Sequence, residues 1–200
     1  MKWFYGDSYH RYFEGYTEII VPNKFGKGTH IKRVYTGEFY QQNVENDTWK
    51  RQRILYGFCY AFSIIAFVTA SVQKVASNTV IYVVLPSAFC ILGLFWLSYG
   101  LIPFLAAGRK LKCGEYRNRM TVLSASFVAG IFYSLAFMGT LYFLLTEEKL
   151  MKELVCMLLY GLGAVFLFWL HVSESRAEYI KVENKTDKLK DGYDIRLGAE

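Results

Sequence analysis

The sequence is poor in the residues that most often build metal and covalent-catalysis sites: it has four cysteines and three histidines in 200 residues. No Cys-x-x-Cys pair and no His-Glu-x-x-His motif occurs, so neither a disulfide framework nor a zinc site is indicated. The Gly-x-Ser-x-Gly turn of hydrolases and the phosphate-binding loop are also absent. We therefore predict no catalytic residue, no metal and no cofactor, and expect that the protein is not an enzyme.

Charge is absent from long stretches of the chain. No Asp, Glu, Lys or Arg occurs in residues 54–73, 75–108, 120–146 or 154–173, and all 40 charged residues fall in the other 99. Each stretch reaches the roughly 20 apolar residues with which a helix spans a bilayer. The sequence thus predicts an all-α membrane fold. Its four-transmembrane-helix bundle (54–173) has spans at about 54–73, 79–107, 120–146 and 154–173.

Basic residues are scarce in two of the three connections between these spans. The first connection has one and the third has two, whereas the N-terminal segment (1–53) has nine, the middle connection five and the C-terminal tail (174–200) six. Cytoplasmic loops carry the excess of Lys and Arg in membrane proteins. We predict that both termini and the middle connection are cytoplasmic, in a plasma or bacterial inner membrane.

Two sets of residues are candidates for binding or packing. The first is the basic middle connection, which attracts anionic headgroups and predicts membrane lipids as partners, with topological anchoring as the alternative. It consists of Arg109, Lys110, Lys112, Arg117 and Arg119. The second is a stripe of small residues at four-residue spacing in the third span, Ser126, Gly130 and Ser134, which allows close helix packing. The stripe serves either the bundle itself or self-association through this helix.

The cytoplasmic segments are not featureless. Residues 16–21 and 31–40 are rich in β-branched and aromatic side chains around a turn-forming stretch, which predicts a small N-terminal β-hairpin. A hairpin alone is marginal in water. Either the otherwise short and polar tail supplies a further strand at 179–183 or 193–197, or the hairpin lies on the membrane interface. Similar Gly-Glu-(Phe)-Tyr sequences at 37–40 and 114–116 suggest a duplicated unit.

Two local expectations concern the ends of the spans. We expect Thr146 to be the N-cap of the fourth helix. We expect Tyr56 to lie in the aromatic belt at the cytoplasmic end of the first helix.

The missing catalytic and coupling residues favour a non-enzymatic accessory, anchoring or assembly component that acts from the cytoplasmic face and contacts a protein partner. A small oligomeric channel or permease using hydroxyl groups of the third helix, or a transporter subunit, is the alternative. Nucleic acid is not expected as a partner, because the basic residues lie next to the membrane and the tail is slightly acidic.

Overall fold

Four long helices dominate the structure, a computed structural model that describes residues 15–22, 29–147 and 151–182. They are α1 (Asn46–Val72), α2 (Ile81–Ala106), α3 (Cys113–Glu147) and α4 (Met151–Ser175). Even the shortest, with 25 residues, extends about 38 Å, and a bilayer core is roughly 30 Å thick. All four are apolar enough to cross a membrane. The predicted four-helix membrane fold is confirmed, and the protein is a multi-pass membrane protein.

The helices extend beyond the charge-free runs. α1 begins at Asn46 and α3 at Cys113, so the first two turns of each carry charged side chains. α3 also continues to Glu147, and Thr146 therefore lies in its last turn; the expectation that Thr146 caps the fourth helix is wrong. Its hydroxyl donates to the carbonyl of Tyr142 at 3.0 Å, which is the back-bond that threonine makes inside a helix.

The N-terminal β-hairpin is confirmed. β1 (Tyr16–Pro22) and β2 (Thr29–Tyr35) are antiparallel, with Tyr16 opposite Tyr35. The strand expected over 31–40 is interrupted, because the carbonyl of Gly15 accepts hydrogen bonds from the backbone N–H groups of both Thr36 and Gly37. This contact closes the hairpin and leaves the following residues to a second sheet.

The second sheet joins three distant segments of the chain. β3 (Phe39–Gln42) lies between β4 (Lys110–Leu111) and β5 (Tyr179–Val182), and both pairings are antiparallel. The tail therefore supplies a strand at 179–182 as expected, but the strand pairs with β3 and not with the hairpin. The other candidate, 193–197, lies outside the described residues.

The chain divides into two compact units. The β unit contains the described residues 15–22, 29–43, 108–117 and 179–182, and the helical unit contains 44–107, 118–147 and 151–178. Within the helical unit, α1 packs on α4 and buries one face at three- and four-residue spacing. That face is formed by Tyr56, Cys59, Ser63, Ala66 and Ala70. Tyr56 is 2% exposed, so its expected place in an interfacial aromatic belt is wrong.

Small residues bring α2 and α3 together. A Cβ atom placed on Gly93 would lie 3.0 Å from the Cβ of Ala129, closer than ordinary packing allows. Large apolar side chains cover the outside of the bundle, as Phe95 does with 70% of its surface exposed. Such surfaces suit contact with lipid acyl chains, and the small buried faces let the helices approach closely.

Candidate functional site

The basic middle connection forms β4 and the start of α3. Lys110 and Arg117 are exposed, and Arg109 is half-buried. The side chains of Lys110 and Arg117 are thus accessible to a lipid headgroup. The assignment of the five basic residues to headgroup binding stays a prediction.

Lys112 is held by aromatic side chains of the hairpin. Its ammonium group donates a hydrogen bond to the hydroxyl of Tyr16 at 2.8 Å and lies 5.2 and 5.7 Å from the ring centres of Tyr16 and Tyr35. The hydrogen bond to Tyr16 raises the pKa of Lys112, so the group stays charged. Hydrogen bonding and cation–π attraction therefore join Lys112 to the hairpin.

Tyr35 links the hairpin to the first residue of α3. Its hydroxyl accepts a hydrogen bond from the backbone N–H of Cys113 at 2.9 Å and donates to the carbonyl of Glu38 at 2.7 Å. The side chain is 7% exposed, and burial raises its pKa. Gly15 adopts a φ of 79° beside the Tyr35 ring, where a Cβ atom would lie 2.9 Å from Cε2. Glycine is therefore required at this contact.

A row of tyrosines lies along the three-stranded sheet. The rings of Tyr40 and Tyr116 stack with centres 4.2 Å apart, and the ring of Tyr179 meets Tyr116 edge-on at 5.4 Å. Lys181 forms an exposed ion pair with Glu38 at 2.8 Å. Exposed pairs contribute little to stability, so the aromatic contacts are the stronger link between β3, β5 and the start of α3.

Arg119 forms a buried ion pair at one end of the helical unit. Its Nε lies 2.8 Å from a carboxylate oxygen of Glu174, and the two side chains are 12% and 1% exposed. Nη2 also donates to the backbone carbonyls of Glu174 and Ala177, at 2.9 and 3.0 Å. The Arg119 guanidinium is thus directed at the end of α4, where a cation offsets the partial negative charge of unpaired carbonyls.

Arg53 makes the corresponding contact at the end of α2. Its guanidinium donates to the carbonyl of Phe104 and, at 2.8 Å, to the carbonyl of Ala107. It also lies over the rings of Trp49 and Phe104, 4.8 and 4.6 Å from their centres. In the sequence Arg53 is one of the nine basic residues of the N-terminal segment, and its residue type alone does not predict this role.

The small-residue stripe of α3 meets α4 at Gly130. Ser126 is fully buried, and a Cβ atom on Gly130 would lie 3.2 Å from the ring of Phe168. The hydroxyls of Ser126 and Ser134 donate to carbonyls of their own helix, Leu123 and Gly130. These contacts favour packing within the bundle over a hydroxyl-lined pathway, and self-association through this helix stays a prediction.

Glu153 is a buried acid that the sequence did not single out. It is 4% exposed at the start of α4, and its carboxylate accepts hydrogen bonds from the hydroxyl and, at 3.2 Å, the backbone N–H of Ser77. Ser77 belongs to a short 3-10 turn at Ala76–Thr79, between α1 and α2. Nearby, the amide of Asn78 donates to the carbonyls of Ala70 and Gln73, at 2.9 and 3.1 Å.

The candidate functional features are therefore the aromatic and basic contacts of the β unit and the buried polar contacts at the helix ends. No family model, curated protein or solved structure matches this chain. Across residues 15–22, 29–147 and 151–182, no group of three His, Cys, Asp or Glu side chains could hold a metal ion. The isolated His171 is bonded through Nδ1 to the carbonyl of Leu123 at 2.9 Å, which ties α4 to α3.

Ser77→Ala is expected to lower the free energy of unfolding by about 1–3 kcal/mol, because the buried Glu153 carboxylate loses its hydroxyl donor. Thermal unfolding in detergent, followed by tryptophan fluorescence, measures the change. Thr79→Ala is the matched control: its exposed hydroxyl donates a hydrogen bond to the carbonyl of Ala76, so the expected change is within about 0.5 kcal/mol. Equal effects of the two substitutions would mean that the hydrogen bond from Ser77 to Glu153 stabilises the fold no more than an exposed hydroxyl does.

Proposed function

We propose that this multi-pass membrane protein is a non-enzymatic accessory, anchoring or assembly component that contacts a protein partner from the cytoplasmic face. The observation that carries the proposal is the three-stranded sheet, which gathers residues 39–42, 110–111 and 179–182 into one structure. Ordering a chain costs about 1–2 kcal/mol of conformational entropy per residue. Connections between membrane spans do not require an ordered sheet, so the folded β unit indicates a role beyond joining the helices.

The sheet also supports the proposed orientation. Hydrogen-bonded strands must lie on one side of a membrane, and the three strands come from the segment before α1, the connection between α2 and α3, and the segment after α4. Those are the three segments that carry 20 of the 23 basic residues. The positive-inside rule then favours the cytoplasm, with the protein in a plasma or bacterial inner membrane.

The partner is proposed to bind along β5. Among the described strands β5 is paired on one side only, with β3, and Ile180 is 47% exposed on it. An accessible sheet edge accepts an extended segment of another protein through main-chain hydrogen bonds, and exposed side chains such as Ile180 give selectivity.

Affinity purification of the full chain in mild detergent, followed by mass spectrometry and gel densitometry, tests the proposal. A stoichiometric protein partner is expected, and Ile180→Glu should reduce its recovery about tenfold or more, as loss of a central interface contact does. Lys110→Glu, an exposed position on β4 at the opposite edge of the sheet, is the matched control and should leave recovery unchanged. A strictly monomeric protein without a stoichiometric partner would refute the proposal, and equal losses in both variants would refute the assignment to β5.

A further inference from the structure

Two arginines make the same kind of contact with backbone carbonyls at the end of a helix. Arg53, near the start of α1, donates to the carbonyls of residues 104 and 107 at the end of α2. Arg119, near the start of α3, donates to the carbonyls of residues 174 and 177 at the end of α4. In each case one guanidinium bridges two carbonyls three residues apart, and both acceptors of the second contact lie 70 positions after those of the first.

The same offset appears independently in the β unit. Gln41 is paired with Lys110 on one side and with Ile180 on the other, and Tyr40 is paired with Leu111 and with Lys181. The partners of each β3 residue are again 70 positions apart. The strand that follows α2 and the strand that follows α4 therefore have the same register against β3.

The arginines themselves lie 66 positions apart, and their surroundings correspond. Residues 51–54 read Arg-Gln-Arg-Ile and residues 117–120 read Arg-Asn-Arg-Met. After each second arginine, buried residues follow at the same four distances along the helix. In α1 these are Tyr56, Cys59, Ser63 and Ala70, and in α3 they are Val122, Ala125, Ala129 and Ala136.

From these observations we infer that the transmembrane domain consists of two equivalent helical hairpins, α1–α2 and α3–α4, each closed at the same end by an arginine clamp. The clamp, Arg53 or Arg119 with its two carbonyl acceptors, fixes the last turn of the second helix in its hairpin. The last carbonyls of a helix have no hydrogen-bond donor within the helix, and the bilayer core supplies no water. A cation that bridges two of these carbonyls therefore holds the turn in place.

The two Gly-Glu-(Phe)-Tyr sequences do not occupy equivalent positions in the two hairpins. Within the Gly-Glu-(Phe)-Tyr pair, Phe39 and Tyr40 enter strand β3, whereas residues 114–116 lie in the first turn of α3. The two sequences therefore have different structures, and the equivalence rests on the Arg-x-Arg segments.

Hydrogen–deuterium exchange of the full chain in detergent tests the two clamps separately. Arg53→Gln should raise amide exchange at residues 101–107 about tenfold or more and spare 171–177, and Arg119→Gln should do the reverse. Arg51→Gln removes the same charge from an exposed position two residues before Arg53 and is the matched control. It should leave both terminal turns unchanged.

The lysine variants separate the bridging geometry from charge alone. In each contact a single guanidinium nitrogen donates to both carbonyls. Arg53→Lys and Arg119→Lys keep the cation, but the lysine side chain ends one bond short of that nitrogen, so intermediate exchange at the same turn is expected. They also serve as the measured variants if a glutamine variant cannot be purified. Exchange that rises evenly over all four helices, or a clamp variant that matches its control, would overturn the inference.

Discussion

Arg119→Met should lower the free energy of unfolding by about 3–5 kcal/mol, because it leaves the Glu174 carboxylate buried without its counter-charge. Glu174 is 1% exposed, so water cannot replace the guanidinium. The same substitution removes the donors to the carbonyls of Glu174 and Ala177. Equilibrium unfolding in mixed detergent micelles, followed by circular dichroism, measures the loss.

A double variant separates the cost of the unpaired charge from the cost of the lost backbone contacts. Arg119→Met with Glu174→Leu removes both charges, and replacing a whole buried pair by apolar side chains is often close to neutral. The double variant should therefore be more stable than Arg119→Met alone. It should remain less stable than the wild type, because the hydrogen bonds from Arg119 to the carbonyls of residues 174 and 177 are still missing. If it is less stable than Arg119→Met, the buried carboxylate is not the source of the destabilisation.

Gly163→Ala is the second large effect, with an expected loss of about 1–3 kcal/mol from overpacking. A Cβ atom on Gly163 would overlap the ring of Tyr133, which is fully buried. That ring cannot move freely, since its hydroxyl donates to the carbonyl of Ser63 at 2.6 Å and ties α3 to α1. The same unfolding titration measures the change.

Gly57→Ala is the control for this substitution. It is also a helical glycine, but a Cβ atom there would meet only Leu105 Cδ1, at 3.6 Å, which is ordinary contact. Alanine also favours a helix over glycine by up to about 1 kcal/mol, so Gly57→Ala should be neutral or stabilising. Equal losses at both positions would mean that the packing against Tyr133 is not limiting.

The sequence predicts the helices well because the decisive signal is compositional. A run of 20 or more residues without charge has few alternatives to a membrane span, and no knowledge of neighbours is needed. The ends of the helices depend on contacts that composition does not report. Thr146 has the residue type of a cap, yet α3 continues through it, and Tyr56 has the residue type of a belt, yet its hydroxyl lies 3.1 Å from Ser173 Oγ inside the bundle.

The buried polar contacts could not be paired from one sequence. Arg119 and Glu174 are 55 positions apart, and Ser77 and Glu153 are 76 apart. A usable signal does exist: Arg53, Arg119, Glu153 and Glu174 all directly adjoin a charge-free run. Charged residues at such borders lie where a helix end needs a partner, so their position predicts capping and pairing as well as topology.

The orientation of the β unit is the claim on which the proposed function depends most directly, and cysteine labelling tests it. Cys113 is half-buried at the start of α3, and the other three cysteines are buried, so each probe cysteine is introduced into a Cys113→Ser background. The two probes are Lys110→Cys on β4 and Thr79→Cys in the turn between α1 and α2, both exposed positions. With a membrane-impermeant maleimide, Thr79→Cys should be labelled in intact cells and Lys110→Cys only after permeabilisation. Labelling of Lys110→Cys in intact cells, with Thr79→Cys protected, would contradict the account.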